Sequence, residues 1–153
     1  MLLTRELGRL AKWLRILGID AGYFSEETAS SLIIQALKDD RIILTRNHRI
    51  PQARGMKVVL INSERIKEQI AEALGALGIK LDLKMMFTRC IICNEELVYI
   101  EKEKIKERVP EYVFNTQKDF VNCPKCNRIY WQGTHWGNAQ AALKESLGNP
   151  KSQ

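Results

Sequence analysis

The chain has four cysteines, and they fall in two identically spaced pairs, Cys90-Ile-Ile-Cys93 and Cys123-Pro-Lys-Cys126. Two Cys-x-x-Cys knuckles offer four thiolates in the arrangement that suits tetrahedral Zn²⁺. The twenty-nine residues between Cys93 and Cys123 are enough to form the strands that bring the knuckles together. The spacing predicts a structural zinc ribbon with ligands Cys90, Cys93, Cys123 and Cys126. A closed four-thiolate shell leaves no open coordination position, so such a metal holds the fold and performs no chemistry. Three other uses of the cysteines compete with zinc. Two disulfides require an oxidising compartment, and Met1-Leu-Leu-Thr-Arg-Glu places charges where the apolar run of a secretory signal would begin. A redox Cys-x-x-Cys normally occurs once, at a strand-to-helix junction. An iron–sulfur cluster is chemically compatible, but ribbon-like spacing favours zinc. Thiolate ligands imply a reducing interior, hence a cytoplasmic protein.

A metal-stapled module needs little hydrophobic core, so a chain of 153 residues is expected to form two units. The expected division is an α/β domain over residues 1–80 and a zinc ribbon with a C-terminal helix over 81–153. Apolar residues make up 45% of the chain, and no apolar run approaches the roughly 20 residues of a membrane span. The formal net charge is +6, which favours a polyanionic partner and most often nucleic acid.

In the first unit, Leu2-Leu3-Thr4 reads as one edge of a strand. From Arg5 to Leu17, apolar residues recur every three or four positions, and Gly18 is placed to end the helix. At 100° per residue, Arg5, Arg9, Lys12 and Arg15 fall within about a third of the helix circumference and form a basic stripe. The stripe is either a solvated face or a phosphate-contacting one. A short strand over Ile19–Phe24 and a second helix with Leu32, Ile33, Ala36 and Leu37 inside come next. Buried strands follow at Arg41–Thr45 and Met56–Ile61, and a third helix starts at Asn62 or Ser63 and ends near Leu77. Strands alternating with helices predict a three-layer α/β domain with a mostly parallel sheet, whose ligands sit at the carboxyl ends of the strands. That reading gathers Thr4, the Asp20–Glu27 region and the basic turn Arg46, His48 and Arg49 on one rim. In the second unit, Glu96–Ile100 and Arg128–Gln132 are expected to pair as strands, and Glu101–Glu107 to form a helical insert stopped before Pro110. Lys125, Arg128, Trp131 and His135 interleave cations with aromatics. Such a surface can clamp single-stranded RNA, although a small ribbon also needs aromatics merely to cover its metal.

Three stretches taken together resemble the Mut-seven C-terminal ribonuclease family. They are Leu7-Gly8-Arg9-Leu10-Ala11-Lys12-Trp13-Leu14-Arg15-Ile16-Leu17-Gly18-Ile19-Asp20, Arg41-Ile42-Ile43-Leu44-Thr45-Arg46, and the paired knuckles followed by Tyr130-Trp131-Gln132-Gly133-Thr134-His135-Trp136. The resemblance implies a PIN-like nuclease domain followed by a zinc ribbon, with RNA cleaved by Mg²⁺ or Mn²⁺ held among three or four carboxylates. The chain departs from that pattern at two positions where the family carries aspartate, Thr4 at the end of the first strand and Asn47 after the Leu-Thr-Arg strand. The family's acid before the second helix falls near Ala29, where only Glu26 and Glu27, slightly upstream, can stand in. Asp20 matches the family. The implied function is RNA binding with metal-dependent cleavage weakened or lost. The alternatives are an active Mg²⁺-dependent endoribonuclease using Asp20 with Glu26 and Glu27, and a protein-docking module acting through the ribbon, with a partner the sequence does not identify.

Overall fold

The fold is that of a computed structural model, which describes residues 1–25, 28–51, 54–133, 137, 138 and 141. The chain forms two compact units, Met1–Asn94 and Glu95–Gln153.

The first unit is built on four short strands, β1 (Leu2–Leu3), β2 (Gly22–Tyr23), β3 (Ile43–Thr45) and β4 (Val58–Leu60), in the order β2-β1-β3-β4. All three pairings are parallel, with Leu2 opposite both Gly22 and Ile43, and Ile43 opposite Val58. Three helices flank the sheet: α1 (Gly8–Ile16), α2 (Ala29–Lys38) and α3 (Ile66–Leu77). The path from β1 to β2 and the path from β2 to β3 run across the sheet in opposite directions. Right-handed crossovers therefore put α1 and α2 on opposite faces. Leu2 and Ile43 pack with Leu32 and Ala36 of α2. Leu3 and Leu44, one step further along each strand and fully buried, point to the other face, where α1 lies against α3. Burial on both faces explains why these strands read as continuous apolar runs in the sequence.

The helix ends follow from the residues placed there. Thr28 accepts a hydrogen bond from the Ser31 backbone N–H and so caps α2. Gly18 adopts φ +78°, with the Ile19 N–H bonded to the Leu14 carbonyl and the Gly18 N–H to the Arg15 carbonyl, the double bond pattern of a Schellman stop. A side chain at Gly18 would put its Cβ 2.0 Å from the Met85 carbonyl oxygen, so glycine is required sterically as well as conformationally. The third helix begins later than expected, at Ile66. The backbone N–H groups of Asn62 and Ser63 are instead taken by the carboxylate of Glu72, which fixes these residues as a loop.

In the second unit, strands β5 (Val98–Tyr99), β6 (Phe120–Asn122) and β7 (Ile129–Trp131) form an antiparallel sheet in that order. The expected direct pairing of Glu96–Ile100 with Arg128–Gln132 is not formed. Phe120–Asn122 lies between them, because it enters the second knuckle and pairs with the strand that leaves it, the Cys123 N–H reaching the Arg128 carbonyl. The charged insert is a 3₁₀ turn over Lys102–Ile105, and Pro110 opens a helix, α4 (Glu111–Thr116), instead of only ending one. Ile105, Val109 and Phe120 form a core with Val113, Phe114, Ile129 and Trp131 packed around it. Most of the expected C-terminal helix lies outside the described residues.

Candidate functional site

In the strand order β2-β1-β3-β4, the chain's progression reverses between β1 and β3, and in open α/β sheets ligands bind where that reversal opens a crevice at the carboxyl ends. A cleft of about 260 Å³ lies there, lined by Thr4, Arg5, Glu6, Thr28, Thr45 and Asn47 among others. Thr4 and Thr45 leave β1 and β3 side by side, with their hydroxyl oxygens 3.0 Å apart and both residues buried. The turn after Thr4 brings the Glu6 carboxylate back over them. Its Oε1 accepts from the Thr4 hydroxyl at 2.6 Å, the Thr45 hydroxyl at 2.9 Å and the Arg46 backbone N–H at 3.0 Å. Burial alone would raise the Glu6 pKa. The bonds from Thr4, its own backbone, Arg46 and Thr45 outweigh that effect and hold it below its ordinary value. Asn47 closes the adjacent turn, its N–H on the Thr45 hydroxyl and its Oδ1 accepting from the Arg49 N–H.

Glu6 was not among the residues singled out from sequence. It lies two residues beyond the strand end and reaches the rim only because Arg5–Leu7 turns as a 3₁₀ helix before α1 begins. Asp20 lies at the other end of the sheet. It precedes β2, as Arg41 precedes β3, and its two oxygens accept from both terminal nitrogens of the Arg41 guanidinium, at 2.8 and 3.2 Å, and from the Asn94 side-chain N–H at 2.7 Å. The expectation that Asp20 shares the rim with Thr4 is corrected: parallel strands put residues that precede a strand and residues that follow one at opposite edges. Desolvation acts to raise the Asp20 pKa, and the bonds from Arg41 and Asn94 with the Arg41 charge bring it below the usual range. Glu26 and Glu27 lie outside the described residues.

The basic stripe is divided by the fold. Arg5, Arg9 and Lys12 are exposed. Arg15 is 6% exposed and is corrected from a candidate nucleic-acid contact to an internal clamp. Its Nε donates to the Ala21 carbonyl at 2.8 Å, and one terminal nitrogen donates to the carbonyls of Ile91 and Ile92, both at 2.8 Å. It thereby ties α1 to the inside of the first knuckle. Asn94 adds a second tie, its Oδ1 accepting from the Ala21 N–H. His48 and Arg49 are exposed and Arg46 is half-buried. Lys125 is paired with Glu95 at 3.6 Å, and Arg128 is exposed. Trp131 packs its ring against Phe120 with centroids 6.4 Å apart, so part of its surface serves the core of the second unit. His135 lies outside the described residues.

The four cysteine Sγ atoms all lie within 4.8 Å of one another, with Cys90 and Cys123 buried and all four thiols free of disulfides. A tetrahedral ion with Zn–S bonds of about 2.3 Å has sulfur–sulfur edges near 3.8 Å, so the donor set fits such an ion. The two knuckles repeat one local geometry. The second cysteine's N–H points at the first cysteine's Sγ at 3.4 Å, and the following asparagine, Asn94 or Asn127, takes a left-handed φ of 68° or 60°. Asparagine tolerates that conformation better than other non-glycine residues. A Cys-x-x-Cys-Asn pattern is present twice in the sequence and is a signal the spacing argument left unused.

The family model described as "Mut7-C RNAse domain" matches residues 1–143. The chain belongs to the Mut7-C RNAse domain family. No curated protein and no solved structure matches it. A Mut7-C chain is a ribonuclease-family protein with an RNA-related role. No described helix of this Mut7-C chain is long and apolar enough to cross a membrane.

Proposed function

We propose that this Mut7-C protein binds RNA and that its own metal-dependent cleavage is weak or lost. The observation that carries the reading is the composition of the rim cleft. Thr4 and Asn47 stand where carboxylates are expected, and among the described lining residues Glu6 is the single acid, with one oxygen already taking three donors. Mg²⁺ and Mn²⁺ are held by several hard oxygen ligands, and the described residues do not fit that requirement. A competing reading is an endoribonuclease using Asp20 with Glu26 and Glu27; Asp20 is engaged by Arg41 and Asn94 away from the rim, and Glu26 and Glu27 lie outside the described residues.

RNA binding is supported by family membership, by the net charge of +6 and by the exposed row Arg5, Arg9 and Lys12. Zinc is the ion the four thiolates favour, in a structural role, and reduced thiolates as ligands fit a cytoplasmic setting. The experiment is a titration of labelled RNA at increasing salt. Affinity falls steeply with salt, because each phosphate contact releases counterions. Neutralising Arg5, Arg9 and Lys12 together weakens binding across sequences and flattens the salt slope. An unchanged affinity in that triple variant would remove the basic row from the account.

A further inference from the structure

A second cleft, of about 330 Å³, shares no lining residue with the rim cleft. Its walls include Gly8 and Lys12 of α1, Tyr23 of β2, and Ile91 and Ile92 of the first knuckle. Tyr23 is 43% and Ile92 49% exposed, so two large apolar side chains face solvent across an open slot. Both walls are held in place. The Tyr23 hydroxyl donates to the Arg5 carbonyl at 3.2 Å, and Arg15 grips the carbonyls of Ile91 and Ile92 from inside. Gly8 leaves room beside the ring: an added Cβ there would stand 3.4 Å from Tyr23 Cε2.

The charges beside this slot are ordered. At 100° per residue, Lys12 and Arg9 lie about 60° apart around α1, with Lys12 at the edge of the slot, and Arg5 stands in the 3₁₀ turn that precedes the helix. Lys12 lines the apolar slot, whereas Arg5 lines the rim cleft, so the exposed cations connect the two. An apolar wall with an aromatic face, flanked by a row of cations, matches a nucleotide chain in which flat apolar bases alternate with anionic phosphates. A duplex keeps its bases stacked inside and cannot offer one to the slot.

We propose that the cleft between Tyr23 and Ile92 seats one base of single-stranded RNA, stacked on the Tyr23 ring, while the flanking phosphates lie on Lys12 and Arg9. The proposal rests on the RNA-binding reading above and adds to it the site and the strandedness.

The test is fluorescence anisotropy of the full chain with a labelled single-stranded RNA of mixed sequence and with the same sequence as a duplex, each over a range of salt. Tyr23→Ala and Ile92→Ser weaken single-strand binding about tenfold and leave the salt slope unchanged, because stacking displaces no counterions. Lys12→Ala lowers that slope by about one. Tyr23→Phe keeps the ring and binds as the parent does, which separates stacking from the Arg5 contact and guards against a misfolded alanine variant. Single-strand binding that both Tyr23→Ala and Ile92→Ser leave intact overturns the base cleft alone. An equal loss for the duplex also overturns it, since the wall would then serve a general surface. Absence of RNA binding by the parent protein overturns the RNA reading itself and this proposal with it.

Discussion

Glu6 ties together the ends of two neighbouring strands. Donors from Thr4, Thr45 and the Arg46 backbone converge on a single oxygen, and together with the bond from its own backbone they outweigh burial and depress its pKa. A carboxylate whose folded pKa lies below its ordinary value of 4.5 contributes stability that is present above that value and lost as pH falls through the folded pKa. Chemical denaturation from neutral pH downward should therefore show stability dropping below 4.5. Glu6→Gln should be less stable at neutral pH and should lose part of that slope. Asp20, depressed from its ordinary 3.8 by Arg41 and Asn94, supplies a further decline at lower pH. An identical pH profile in Glu6→Gln would show that the carboxylate does not hold the rim. Sequence reasoning located Thr4 and Asn47 on this rim from the strand ends. It missed Glu6, because whether a residue two positions past a strand folds back over it depends on the 3₁₀ turn, which side-chain periodicity does not encode.

At the scale of elements, α1 carries both halves of the account on one helix. Its apolar period was legible, and Leu10, Ala11 and Leu14 are buried as that period requires. Its stop at Gly18 was legible as well. The fate of Arg15 was not, since a helical wheel groups it with Arg5, Arg9 and Lys12, and only the return of the chain at Ile91 and Ile92 turns that side inward. Replacing it, as in Arg15→Met, leaves three carbonyls without a donor and should lower stability by on the order of 3 kcal/mol. Because two of those carbonyls lie between Cys90 and Cys93, the same variant should lose its metal to a competing chelator faster than the parent. Elemental analysis should find about one zinc per parent chain. Equal metal retention would separate the clamp from the metal site. The ribbon's strand order was misread for a related reason: Phe120–Asn122 is too short to show a period, and its pairing follows from the hairpin across the second knuckle.

For the whole molecule, family, fold class and the clustering of the four cysteines were readable from one chain because each rests on spacing along the sequence, two strand ends, a helix period and paired Cys-x-x-Cys motifs. Activity rests on which side chains converge in space, and the structure separates Asp20 from Thr4 and Asn47 by the length of the sheet. On the function proposed above, this Mut7-C scaffold binds RNA over a rim that lacks the carboxylates for efficient cleavage. The most direct measurement is cleavage of a labelled mixed RNA pool with Mg²⁺, Mn²⁺ or EDTA, comparing the parent protein with a Thr4→Asp, Asn47→Asp double variant. The account predicts that the double variant cuts in a metal-dependent way while the parent binds the pool and leaves it essentially intact. Efficient cleavage by the parent that EDTA abolishes would contradict it.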